Sequence, residues 1–152
     1  MFKTRKKIFI NLVVLVLVSA MCCSFPVSAA VSTPVQPYAS NYLTSYSTYI
    51  CAMGGGEIQI WFEVMGTGTM DELGVLSIML YESSDNTNWE YVDTFLHEDY
   101  ESMLAEDDYF YCSYVPYDGT ARKYYKAYVC IWAGKNGNGD TRYMWATSVR
   151  AT

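Results

Sequence analysis

Histidine is almost absent from the 152-residue chain, which holds only His97. Imidazole is the usual general base and a common metal ligand near neutral pH. The single copy lies between Leu96 and Glu98-Asp99, with no nucleophile elbow or recognised cysteine context beside it. A Ser-His-Asp or Cys-His site therefore has no support in the sequence. Cysteine is sparse, and none of the five sits in a CxxC or Cys/His spacing that would bind zinc. The glycine-rich pieces MGGGE and GTGTM are followed by strands rather than a helix and lack the lysine of a phosphate loop, so they read as turns. No stretch holds the period of a long helix.

Carboxylates are plentiful: Asp71-Glu72, Glu98-Asp99-Glu101 and Glu106-Asp107-Asp108. A glycosidase needs two carboxyls at a set separation across a cleft. A small domain with no cleft signal instead uses such charges to solvate loops and blunt sheet edges. No catalytic residue is assigned, and the chain is not expected to be an enzyme. Asn136, Asn138 and Asp140 alternate like calcium-loop ligands, but the glycine after the third ligand and the distal glutamate are missing. A glycine-rich hairpin already accounts for that stretch, so no metal or cofactor is assigned.

The N-terminus reads as a targeting segment. MFKTRKK is basic, IFINLVVLVLVSAM is apolar but too short to span a bilayer, and CCSFPVSAA ends in small residues. This is the pattern of a secretory signal peptide over residues 1–30, cleaved after Ala29 or Ala30. Lipidation at Cys22 or Cys23 is disfavoured by bulky Met21. The signal carries four of the ten basic residues and none of the sixteen acidic ones. The remainder thus has six basic against sixteen acidic residues. That balance repels nucleic-acid phosphates and anionic membranes. A secreted, extracellular protein is expected, with no membrane association in its mature form. Export permits disulfides, but Cys51, Cys112 and Cys130 are an odd number and their pairing stays open.

Residues 31–45, with Pro34 and Pro37, read as an extended leader; 46–152 read as one domain. A period of two dominates it. Tyr49 to Ala52 forms a short strand, and GEIQIWFEV puts Ile58, Ile60, Phe62 and Val64 on one face. GTGTMDE is expected to break that strand, and LGVLSIMLYE to begin another with Leu76, Ile78 and Leu80 on the inner face. WEYVDTF, YFYCSYV, YYKAYVCIWA and RYMWATSVRA follow, with one or two helical turns expected in HEDYESMLAEDD. Asn136-Gly137 and Asn138-Gly139 both suit a tight hairpin. About seven antiparallel strands at these intervals predict an all-β, two-sheet sandwich.

Tyr125-x-Ala127-x-Val129, soon after Pro116 and Gly119, resembles the penultimate strand of fibronectin type III and immunoglobulin-like domains. The likeness implies that Tyr125 packs inward and bonds nearby backbone through its hydroxyl. A longer likeness joins the signal, Tyr49-x-x-Ala52, GGGEIQIWFEVMGTGTMDELGVLSIMLYESSDNTNWEYVDTF, Tyr117-x-Gly119, YYKAYV and a closing strand with Arg142. This order is similar to a family of small secreted bacterial proteins of unknown function. It implies export and a β-rich domain, and brings no catalytic residues.

The outward rows are aromatic. Trp61, Tyr124, Tyr128 and Trp132, with Trp145 as a further member, are the candidate ligand-binding residues. Rigid rings with a polar tip stack on sugars and anchor protein partners. Aromatic cross-strand pairs also stabilise a sheet by about 0.2–1 kcal/mol each, which makes structural cover the competing role. The expected function is a non-enzymatic extracellular binding module for a glycan or protein. The alternative is a structural or self-assembling extracellular protein, joined by a spare cysteine or by sheet edges.

Overall fold

The structure, a computed structural model, describes residues 40–152. The signal segment, both cleavage candidates and most of the leader lie outside those residues. The described chain is all-β. Its strands are β1 (Leu43–Gly54), β2 (Glu57–Ser83), β3 (Glu90–Leu96), β4 (Leu104–Asp118), β5 (Tyr124–Lys135) and β6 (Asn138–Arg150). They form one antiparallel sheet in the order β1-β2-β5-β6, with β3 and β4 also paired to β2, and the sheet curls into a half-barrel. Among the described residues, no helix is long and apolar enough to cross a membrane.

Three expectations change. Six strands replace about seven because GTGTMDE does not break the chain. β2 runs through it for 27 residues. Its pairing with β4 resumes at Met70↔Asp108 after an irregularity between Met65 and Met70. The glycines there bend the strand rather than end it. Second, β1 begins at Leu43, within the segment read as leader. Third, the bulge between Val75 and Ser77 puts Val75 in the core and leaves Leu76, expected inward, only partly buried. HEDYESMLAEDD yields one 3-10 turn, Glu101–Met103, as its spacing implies, and β4 starts at once with Leu104.

β2 serves two arms. Its first half lies between β1 and the C-terminal part of β4. Its second half lies between β5 and, on the other side, β3 with the first residues of β4. Two irregularities keep its apolar residues inward in both arms. Ile58, Ile60, Phe62 and Val64 are even-numbered; Leu73 and Val75 are odd; Ile78 and Leu80 are even again, and all are fully buried. The register with β4 shifts between Met65 and Met70, and the buried set, still even at Met70, is odd from Leu73; the second change falls at the bulge between Val75 and Ser77. Without them a period of two would turn half the set to solvent.

β5 supplies the other wall through Tyr125, Ala127, Val129, Ile131 and Ala133, all fully buried. Burying each large apolar side chain stabilises the fold by about 1.5–3 kcal/mol. The Tyr125 hydroxyl accepts the Thr120 N–H at 2.7 Å and donates to Glu82 Oε2 at 3.2 Å. Lys123 pairs with the other oxygen of Glu82. That contact holds the Lys123 ammonium above its usual range. The last residues and the first described ones are tied to the sheet. Gly56 N–H donates to Thr152 O at 2.8 Å, and Asp140 accepts the Ser40 hydroxyl and the amides of Asn41 and Tyr42.

Candidate functional site

The β5–β6 hairpin turns on two residues, Asn136 and Gly137, with φ of 53° and 74°. Lys135 therefore faces Asn138, and counting back from that pair sets Tyr128 opposite Trp145 and Cys130 opposite Tyr143. On the adjoining strands Met79 faces Tyr128 and Tyr81 faces Tyr91. The outer face of this arm is thus an unbroken run of rings. Tyr143 stacks on Tyr128 at 5.6 Å with 15° between planes, and Tyr128 meets Trp145 at 4.8 Å. Trp145 meets Tyr81 at 5.5 Å, and Tyr81 meets Tyr91 at 6.0 Å. The run is open to solvent, with Tyr143 59 % exposed, Trp145 49 % and Tyr91 58 %.

Lys126 is set into this run. Its Nζ lies 4.6 Å from the Trp145 ring centre, 5.9 Å from Tyr81 and 4.4 Å from Trp89, which arrives from the β2–β3 turn. Cation–π attraction holds three rings in place around one charge. Asp85 shapes that turn by accepting the amides of Thr87 and Asn88. These bonds, Asn88 first, keep its carboxyl far below the usual carboxylate range.

The four sequence candidates do not gather in one place. Tyr128 is at the centre of the run. Tyr124 lies at its margin, with the Arg150 guanidinium 5.7 Å from its ring centre. Trp132 is half-buried, donates from Nε1 to Glu72 Oε2 at 2.9 Å, and lies against the backbone of Gly134 and Gly139. Trp61 belongs to the other arm, stacked on Tyr49 at 6.2 Å with 2° between planes and tilted to Tyr114 at 4.7 Å. Near it a shallow open depression of about 300 Å³ is lined by Ser47, Glu63, Met65 and Phe110, among others.

Tyr81, Trp89, Tyr91 and Tyr143 were not among the candidates. The turn held the missing signal. Placing it at Asn136-Gly137 rather than Asn138-Gly139 fixes the register and brings Trp145 and Tyr143 beside Tyr128 and Cys130.

The groups that might do chemistry are spent or scattered. His97 is beside Glu98 at 3.7 Å, on the surface. Asp71 accepts the Asn136 N–H at 2.6 Å, and Asp140 is held by the Ser40 clasp, which lowers its carboxyl below the usual range. Among the described residues, no three His, Cys, Asp or Glu side chains are grouped to hold a metal ion. Cys51, Cys112 and Cys130 form no disulfide with one another; Cys112 is exposed and Cys130 buried. Partial desolvation at the sheet surface, then the Glu63 carboxylate, raises the Cys112 thiol.

No family model and no curated protein matches the chain. Among solved structures, a sporulation control protein from Bacillus subtilis is similar over 68% of this chain and 49% of its own, at 8% identity and a TM-score of 0.37. A family 76 glycoside hydrolase from a bovine Bacteroides thetaiotaomicron strain is similar over 72% of this chain and 20% of its own, at 12% identity and a TM-score of 0.32. The chain thus spans about half the length of the first and a fifth of the second.

Proposed function

We propose that the protein is a secreted, non-enzymatic binding module that stacks carbohydrate rings on the outer face of β3, β2, β5 and β6. The observation that carries this reading is the run Tyr143–Tyr128–Trp145–Tyr81–Tyr91, with neighbouring ring centres 4.8–6.0 Å apart and both ends open. The faces of sugar rings present C–H groups that pack on aromatic faces, while Tyr hydroxyls and the Trp indole N–H meet the sugar hydroxyls. Lys126 stiffens the surface before any ligand arrives, which lowers the entropy lost on binding. The basic-apolar-small N-terminus supports export, and the order of blocks supports membership of a family of small secreted bacterial proteins of unknown function. Two arms over one core, with Tyr125 bonded back to Thr120, support an immunoglobulin or fibronectin III-like sandwich as the finer description of the fold.

The test is affinity electrophoresis through gels containing soluble neutral β-glucan, xylan or galactomannan. At least one of these is expected to retard the protein, and Trp145→Ala is expected to weaken that retardation about tenfold or more, as loss of a central aromatic anchor does. Tyr49→Ala, on the other arm, is expected to leave it unchanged. Equal retardation of Trp145→Ala and the parent, or none with any polysaccharide, would remove the platform; capture of a protein instead would redirect it.

A further inference from the structure

Among the described residues, the longest strand edge without a partner is the outer edge of β4. β4 pairs with β2 on one side, and among the described residues no strand pairs with its other edge. An open edge displays N–H and C=O groups that accept another strand. Proteins protect such edges with charge, proline and bulges, and here the protection is local. Glu106, Asp107 and Asp108 guard one end, where Asp107 has φ of 53° and Asp108 accepts the amides of Tyr109 and Phe110. Pro116 and Asp118 guard the other. Between them, Tyr109–Val115 (YFYCSYV) is seven residues with no charge, proline or glycine. Tyr109 is 62 % exposed, and Phe110 and Tyr114 are exposed as well. A seven-residue strand of that composition is the kind that seeks a partner strand.

We propose that the partner is a second copy of the same strand, paired antiparallel about Cys112. Cys112 is the middle residue of the seven, so a two-fold axis through it sets Cys112 against its own copy and Phe110 against Tyr114 of the other chain. Tyr109 then faces Val115, and Tyr111 faces Ser113. The register stops where the guards begin. Asp108 would meet Pro116, which has no N–H to donate, and Glu106 would meet Asp118, a like-charge pair. Cys112, Phe110 and Tyr114 share one face with Trp61, so the aromatic row Tyr49–Trp61–Tyr114 continues into Phe110 of the second chain. A parallel pairing lacks the Phe110–Tyr114 match, because it sets each residue near its own copy.

Seven residues are a small interface, well below the roughly 1,200–2,000 Å² of a standing complex, so the non-covalent pair is weak. Opposed residues in an antiparallel pair have Cα atoms about 4.5–5.5 Å apart, within the range a disulfide spans. The two Cys112 thiols then lose two protons and two electrons and form one S–S bond. A small-molecule disulfide such as oxidised glutathione takes up both and leaves as two thiols. Cys130 is buried, and Cys51, half-buried on β1, is not on this edge.

The test uses the whole protein with oxidised glutathione, followed on non-reducing gels. The expected result is a reductant-sensitive dimer in the parent and in Cys51→Ser/Cys130→Ser, and only monomer in Cys112→Ser. Phe110→Lys/Tyr114→Lys, which sets like charges opposite each other in this register, is expected to slow dimer formation about tenfold at equal concentration with an unchanged circular dichroism spectrum. Mixing Phe110→Lys with Tyr114→Glu is expected to favour the mixed dimer over either homodimer. A parent that stays monomeric, a dimer that survives Cys112→Ser, or a Cys112 dimer that forms equally fast with the two lysines overturns the pairing.

Discussion

Glu63 and Cys112 are cross-strand neighbours, facing each other in the β2–β4 ladder. The thiol, though exposed, is pushed up first by partial desolvation against the sheet and then by the Glu63 carboxylate, because both disfavour the thiolate. Cys112 therefore stays protonated to higher pH than an ordinary thiol. Glu63→Gln removes the second cause and leaves the first. Alkylation of Cys112 by iodoacetamide, followed by mass spectrometry between roughly pH 7 and 10, is expected to begin at lower pH in Glu63→Gln. A pH profile identical to that of the parent would show that the carboxylate exerts no influence. Tyr49, a ring on the same face, is raised in the same way, burial first and Glu63 second. One carboxylate thus biases two neighbouring groups toward their protonated forms.

Among the elements, β2 decides the architecture, and Gly74 lets it do so. Gly74 has φ of 151°, and a Cβ there would lie 2.2 Å from the Met103 carbonyl oxygen. The residue lets the second half of β2 pass close under the 3-10 turn. Gly74→Ala is expected to destabilise the protein by about 1–3 kcal/mol, read as a lower urea midpoint with an unchanged slope. The inward rows of β2 and β5 were legible in the sequence because a period of two needs no knowledge of partners. Ile58 through Val64, Ile78 and Leu80, and Tyr125 through Ile131 are buried as their alternation implies. The continuity of β2 was not legible. Gly66 and Gly68 look like a turn when read locally, and only the ladder with β4 shows that the strand survives them. The outer face was half legible. Tyr128 and Trp132 were visible on their own strand, whereas the contact of Tyr128 with Trp145, Tyr143 and, through Trp145, Tyr81 depends on register, which one turn residue sets.

At the scale of the molecule, the two arms share one strand and one core. Phe62 and Val64 in one arm and Val129 and Ile131 in the other belong to a single buried cluster. The last residues reinforce this, since Thr152 bonds Gly56 and Ala151 exchanges backbone bonds with Arg122 and Lys123. Neither arm retains a core of its own if the other opens. Thermal unfolding is therefore expected to be one transition, with coincident midpoints by far-UV circular dichroism and calorimetry and equal calorimetric and van't Hoff enthalpies. Two resolved transitions would mean that the arms are separate folding units.

The placement of the tryptophans has an optical consequence. All four, Trp61, Trp89, Trp132 and Trp145, are half-buried or exposed on outer surfaces, and none contributes to the core. Indole emission from this protein therefore reports its skin. Two of the four indoles flank Lys126 on the ring platform, Trp132 is bonded to Glu72 farther along β5, and Trp61 lies on the other arm. Under the proposed function, a sugar settling on the platform would change the brightness of its own binding surface, and the unlabelled protein would serve as its own sensor.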